Sequence, residues 1–231
     1  MSESSPASKR TSVEAFLAIP EHERFHELLG GELVPKASPS GEHSNAQGGV
    51  IASLRGPFQR KPGGGGPGGW WIYPEPEILL QDDTIIRPDV AGWRRETSAE
   101  PPAGTLIAVR PDWVCEVLSP SPRGREGLRP PRAPPELRKS RESRFARTTS
   151  RLSLRSNANN DTVRKLRLFH AEGVPHYWLI DPRDETLTVL RWSEDGYVNR
   201  LVAERGEVVR PEPFEAIELE VGVLFGDDPT R

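Results

Sequence analysis

Residues 109–141, "VRPDWVCEVLSPSPRGREGLRPPRAPPELRKSR", change character halfway. From Asp112 to Ser119 the chain is nearly continuous in apolar residues, the pattern of a strand covered on both faces in the middle of a mixed sheet. One carboxylate, Glu116, interrupts it. Beyond Ser121, arginine and proline dominate and nothing sustained is left to bury. The break reads as an interruption inside one folded unit, with the strand reaching its turn at Ser119-Pro120.

Charge separates the two regimes. The chain has 231 residues and a net charge of −3. The span from Pro122 to Ala158 carries eleven Arg or Lys against three Glu, so about +8 lies there and about −11 elsewhere. A basic insert therefore sits within an acidic body. The insert has scattered leucines and one phenylalanine but no period, and it is expected to stay disordered because it cannot bury enough to offset chain entropy. Residues 1–10 and 227–231 read as tails. What remains, 11–122 and 159–226, is expected to form one discontinuous domain.

The single cysteine, Cys115, excludes an internal disulfide framework and suits a reducing compartment. The polar start "MSESSPASKRTS" has no apolar run for a signal peptide, and no stretch approaches the ~20 apolar residues of a membrane span. A soluble, cytoplasmic chain is expected.

Local patterns place the elements. Thr11 stands three residues before Glu14, a capping-box spacing ahead of a short helix ended by Pro20. "RFHELLGGELVPK" reads as a hairpin about Gly30-Gly31. Val50, Ile51, Leu54 and Phe58 give one face of a second helix. "KPGGGGPGG" lacks the lysine and hydroxyl residue of a phosphate-binding loop and reads as a flexible break. "WWIYPEPEILLQ" and "TIIRPDVAGW" read as strands joined at Asp82-Asp83. A third helix over "NDTVRKLRLFHAEG" would be capped by Asn160 or Asp161 and ended by Gly173. "VPHYWLIDP" and "TLTVLRW" read as a strand pair across Asp184-Glu185, with short edge strands after them. Helix, strands, helix, strands make an α/β domain on a mixed sheet.

The chemistry gathers on carboxylates. Asp89 follows Pro88 on a strand, and Glu116 comes 27 residues later on the next long one. Alternation puts Glu116 on a face with Val114 and Leu118, opposite Cys115. An acid within an apolar strand is costly unless something pairs it. A divalent cation is one answer: two carboxylates with waters suit Mg²⁺ or Mn²⁺. Such an ion could activate a water and clamp a phosphodiester, and a cation near that water would be Lys165 on the third helix. The alternative is structural. Glu116 could pair with Arg87, and Asp89 could belong to a strand-end turn.

Other residues carry less. Cys115 reads as a buried strand thiol. His43, near a helix start, reads as a surface histidine, with contact to phosphate or a place near the site as the alternative. No zinc-binding histidine spacing occurs. Trp70, Trp71, Trp113, Trp178 and Tyr177 read as core or dimer contacts rather than stacking platforms.

Taken in order, "FHELLGGELVPK", "EHSNAQGGVIASL", "RPDV", "WVCEVLSPS" and "NDTVRKLRLFHAEGVPHYWLIDP" resemble the Uma family of "putative restriction endonucleases", within the PD-(D/E)XK nuclease superfamily. The likeness covers roughly residues 12–122 and 159–226. It implies a restriction-endonuclease-like mixed β-sheet flanked by helices, a DNA substrate and a divalent metal. A homodimer is expected. By position Asp89 is the family's first acid and Glu116 its second. The superfamily's lysine position holds Leu118, so Lys165 would take over that role, as in variants whose lysine has migrated. Glu32 is implied as a further acid around the metal, and Asp161 as an orienting or capping acid. A catalytically silent nuclease fold that binds DNA or a protein is the alternative, and a hydrolase of smaller phosphodiesters is a third.

The resemblance also isolates the insert, since the family joins "LSPS" to "NDTVRKL" by a few residues. Here 37 intervene. The segment reads as a DNA-engaging basic arm, as a spacer without function, or as a stretch translated out of frame. The last two are favoured, because Arg, Pro, Gly and Ser dominate GC-rich out-of-frame translation.

Overall fold

The computed structural model describes residues 10–119 and 157–230. The expected insert, 123–158, falls almost wholly outside the described residues. Its last two positions already belong to a helix.

The first helix, α1 (Val13–Leu17), is capped by Ser12, whose hydroxyl accepts from the Ala15 N–H. Thr11, the expected cap, lies one residue too early. Strands β1 (His26–Leu29) and β2 (Glu32–Pro35) pair in the expected hairpin, with Leu29 opposite Glu32. Gly30 and Gly31 both have positive φ, 59° and 77°, which a two-residue turn of this hand demands. Helix α2 (Gly41–Phe58) starts at Ser40 and buries Ala46, Val50, Leu54 and Phe58. Ile51, assigned to the same face, is only partly buried.

The tryptophan-rich run divides. Strand β3 (Trp70–Pro74) pairs with β6 (Val90–Arg94), while β4 (Ile78–Gln81) pairs with β5 (Thr84–Ile86) across Asp82-Asp83. Single strands were expected on either side of that turn. Pro74, Pro76 and Pro88 withhold N–H donors where the chain leaves one sheet for the other. Strand β7 (Trp113–Val117) is wholly buried. Helix α3 (Asn157–Ala171) begins earlier than expected, so Asn160 and Asp161 lie within it rather than at its cap. It ends ahead of Gly173, whose φ is 65°. Strands β8 (His176–Asp181), β9 (Thr186–Ser193) and β10 (Gly196–Glu204) follow. The edge strand β10 has nine residues, against the short strands expected. The pair β11 (Val208–Val209) and β12 (Leu219–Glu220) and a 3-10 turn at Val221–Phe225 close the chain.

The main sheet runs β10-β9-β8-β7-β6-β3, and a smaller one runs β2-β1-β5-β4. Only the β7–β8 pairing in the main sheet is parallel. A parallel neighbour requires a crossover, and α3 supplies it. The sheet is mixed with β7 inside it, as its apolar run implied. The two faces of β7 separate two cores. Trp113, Cys115 and Val117 join α2, Trp178 and Phe214; Val114 joins Phe169 of α3, Tyr177, Leu29 and Ile86. Phe214 centres the first core, its ring 4.7–5.6 Å from those of Phe58, Trp70, Trp113 and Trp178. Trp70, Trp113, Trp178 and Tyr177 are therefore core residues, while Trp71 is half-buried beneath the Arg95 guanidinium at 3.5 Å. Cys115 is fully buried, and burial pushes its thiol well above its ordinary range. Among the described residues, no helix is long and apolar enough to cross a membrane.

Candidate active site

The antiparallel register of β6 and β7 sets Val90 against Cys115. Continued one step, it sets Asp89 against Glu116, so both acids arise where the two strands meet. Alternation along β7 sends Glu116 away from Cys115, toward α3 and the smaller sheet. Glu116 and Asp89 are both buried, at 8% and 2% exposure.

Two lysines and a histidine meet them. Lys165 reaches down from α3 with its Nζ 3.3 Å from Glu116 Oε1 and 3.4 Å from Oε2. The same Nζ is 3.0 Å from Oε2 of Glu27, a buried acid on β1. Glu27 is held in turn by the Arg87 N–H, which donates to its Oε1 at 2.7 Å. Lys36, just past β2, donates to Asp89 Oδ1 at 3.2 Å and to the Arg87 carbonyl at 2.7 Å. His43, in the first turn of α2, has Nε2 3.3 Å from Asp89 Oδ1 and Nδ1 3.1 Å from Ser119 Oγ. The Val117 N–H donates to Asp89 Oδ2 at 2.8 Å, and Gln47 donates to the Asp89 carbonyl at the same distance.

Asp89, Glu116 and Lys165 thus lie in one buried cluster. Other expectations come out differently. Glu32 is exposed at the hairpin end and pairs with Arg164 at 2.9 Å, so it is not part of the cluster. Glu27, five residues earlier, occupies the place of a third acid. Arg87 does not pair with Glu116; its guanidinium contacts Glu77, which Arg24 also holds at 2.7 Å. His43 is buried against Asp89, contrary to the surface reading. Asp161 has a buried Oδ1 without a hydrogen-bond partner. Burial raises its pKa, against the pull of the nearby Lys165 charge.

The two paired acids differ electrostatically. Burial disfavours ionisation of Asp89, but the His43 contact, the Lys36 charge and the Val117 N–H outweigh it and hold the carboxyl well below its usual range. Burial drives Glu116 the other way, to well above the usual carboxylate range. Asp89 and Glu27 add to the rise, and Lys165 and Lys36 only partly offset it. The Lys165 contact with Glu27 is the shorter one, so its charge is shared rather than spent on Glu116. Burial alone would lower the Lys165 pKa; the surrounding carboxylates, Glu116 and Glu27 first, raise it and keep the ammonium charged. Glu116 is thus the acid with most to gain from another cation.

The pattern of the family described as "Uma2: Putative restriction endonuclease" matches residues 13–129 and 153–222. Glu27, Lys36, His43, Asp89 and Glu116 fall in the first segment and Lys165 in the second. The chain belongs to the Uma2 family. The unmatched stretch between the segments, residues 130–152, lies inside the basic insert; the insert's two ends fall within the matched segments. The crystal structure of "a putative nuclease belonging to DUF820 from Anabaena variabilis ATCC 29413" is similar to this one, with a TM-score of 0.61 at 19% identity over 93% of this chain and 97% of that one. At that identity the likeness shows the fold. No curated protein matches the sequence.

Two members of the cluster, Glu27 and Lys36, escaped the sequence reading, and His43 was weighed near the site but read as a surface residue. Glu27 carried a usable signal: it interrupts an apolar strand, "HELL", as Glu116 interrupts "WVCEVL", and the same cost of an unpaired carboxylate applies. Lys36 carried none, since it lies at an element end where polar residues are ordinary.

Proposed function

We propose that this Uma2 chain is a divalent-metal-dependent endonuclease that hydrolyses phosphodiester bonds in DNA. The observation that carries the reading is the meeting of Asp89 and Glu116 at adjoining strand ends with the Lys165 ammonium against Glu116. Among the described residues, no three His, Cys, Asp or Glu side chains form a ready-made cation cage. The donor set nevertheless fits a hard ion that keeps part of its water shell, because Mg²⁺ is commonly held by one or two carboxylates plus water and phosphate oxygens. The rise of the Glu116 pKa, driven first by burial and then by its acidic neighbours, supports the same fit.

Asp89 and Glu116 would hold Mg²⁺ or Mn²⁺. When bound, such an ion lowers the pKa of water and neutralises charge on a phosphoryl group. The chain's own residues supply the rest. His43, Lys36 and the Val117 N–H keep Asp89 ionised and fixed in one orientation. Lys165 would orient the attacking water and steady negative charge as it develops on the phosphate. Glu27 holds Lys165 in place, and its own tie to the Arg87 backbone links that grip to the Pro88-Asp89 turn. Asp161 would orient Lys165 from within the same helix. A homodimer would present two such sites to the two strands of a duplex, and the lone buried thiol fits a reducing cytoplasm.

A DNA- or protein-binding fold without catalysis is favoured by one observation: the acids are already paired with lysines. Plasmid nicking separates the two. Supercoiled DNA should be converted to open-circle form with Mg²⁺ or Mn²⁺ and stay intact with chelator. Binding without conversion under both conditions would leave the binding module.

A further inference from the structure

Asp89 is already supplied with donors. Its Oδ1 faces Lys36 Nζ at 3.2 Å and His43 Nε2 at 3.3 Å, and its Oδ2 accepts from the Val117 N–H at 2.8 Å. An ionised carboxylate offers about four lone-pair directions, so few remain for a cation. These three donors are not equally fixed. The Val117 N–H belongs to a buried strand, and His43 is pinned by the first turn of α2 and by Ser119. Lys36 stands just past the end of β2, with 18% of its side chain exposed and a flexible four-carbon stem. Its second partner, the Arg87 carbonyl at 2.7 Å, can retain the ammonium when Asp89 lets it go. Lys165 has no such freedom, because Glu27 and Glu116 grip it from two sides in a buried place.

We infer that Lys36 is the site's internal counter-cation. It keeps Asp89 paired in the free protein and must leave Oδ1 for a divalent ion to bind, staying tethered by the Arg87 carbonyl at the rim. This inference rests on the metal reading of the site. Lys36 then sets the ion affinity, and ion entry moves an ammonium to where it can meet a phosphate. A lysine that only braces the β2 end would have the opposite effect: its loss would loosen Asp89 and weaken binding.

Titration calorimetry of Mg²⁺ and of Mn²⁺ into the full chain, K36M and D89N decides the sign. Removing a like charge from beside the ion should tighten binding by about tenfold in K36M, and D89N should give no binding heat. Equal or weaker binding by K36M, with the unaltered chain binding, would overturn the role of Lys36 and leave the metal site standing. No heat from either protein at millimolar ion would overturn both. A second measurement needs no variant. Reductive methylation of Lys36, followed by mass spectrometry, should run several-fold faster with Mg²⁺ present. An unchanged or slower rate would contradict displacement.

Discussion

Lys165 lies closer to Glu27 than to Glu116: its Nζ is 3.0 Å from Glu27 Oε2 and 3.3 Å from the nearer Glu116 oxygen. The helix that carries Lys165 therefore docks on the smaller sheet as well as on β7. Arg164 repeats the connection, donating to the Leu29 carbonyl at 2.5 Å and to Glu32 at 2.9 Å. These contacts tie α3 to the smaller sheet.

The first prediction follows from the sharing of that ammonium. E27Q keeps an acceptor for the Arg87 N–H but removes the charge facing Lys165. Breaking one side of a buried pair costs about 3–5 kcal/mol, and the remaining Glu116 contact should bring the loss to the lower end. Urea unfolding should show a lowered midpoint, and nicking should fall because Lys165 is no longer held. An unchanged midpoint would mean that Glu116 alone suffices.

K165M should separate chemistry from folding in a different way. If Lys165 orients water and steadies charge, nicking should drop by about 10²–10⁴-fold. Ion binding, measured by calorimetry, should persist. Loss of ion binding with the fold intact would instead place Lys165 in support of the acids.

Acid stability should depend on His176. Burial, with the Arg94 charge second, lowers its pKa from 6.5 to about 4, while Glu212 pulls the other way. The unfolded chain then binds more protons than the folded one between those values. The stabilisation is complete above pH 6.5 and is lost as pH falls toward 4. Its size is about 3 kcal/mol at most. Urea midpoints measured from pH 7 down should fall less steeply in H176Q than in the unaltered chain, and parallel curves would refute the assignment.

Phe214 offers a test of the core on the α2 face. It is fully buried among four aromatic rings. Phe214→Ala should cost about 3–5 kcal/mol by calorimetric or urea unfolding, the range for a large buried side chain. A much smaller loss would mean that the surrounding rings collapse into the space.

Much of this was legible in the residues. Alternation along β7 placed Glu116 opposite Cys115, and the Gly30-Gly31 turn required its hairpin. The apolar run of β7 implied an interior strand of a mixed sheet, and its parallel neighbour β8 confirms it. Those features are local, and period and turn chemistry specify them. The division of "WWIYPEPEILLQ" between two sheets was not legible, because which strand pairs with which is decided by long-range packing. Lys36 was missed, and His43 read as a surface residue, for the same reason: they come from elements that meet only in the folded chain. Glu32 was chosen over Glu27 by its place after the hairpin turn, but an acid beside a turn is free to face solvent, whereas one between buried strand residues is not.

The central claim is that Asp89 and Glu116 share one divalent ion. Crystals grown with Mn²⁺ and measured at its absorption edge test it directly. The account predicts an anomalous peak within about 2.5 Å of an oxygen from each acid, absent in D89N. No peak at that place, or one held by residues away from both acids, would contradict it.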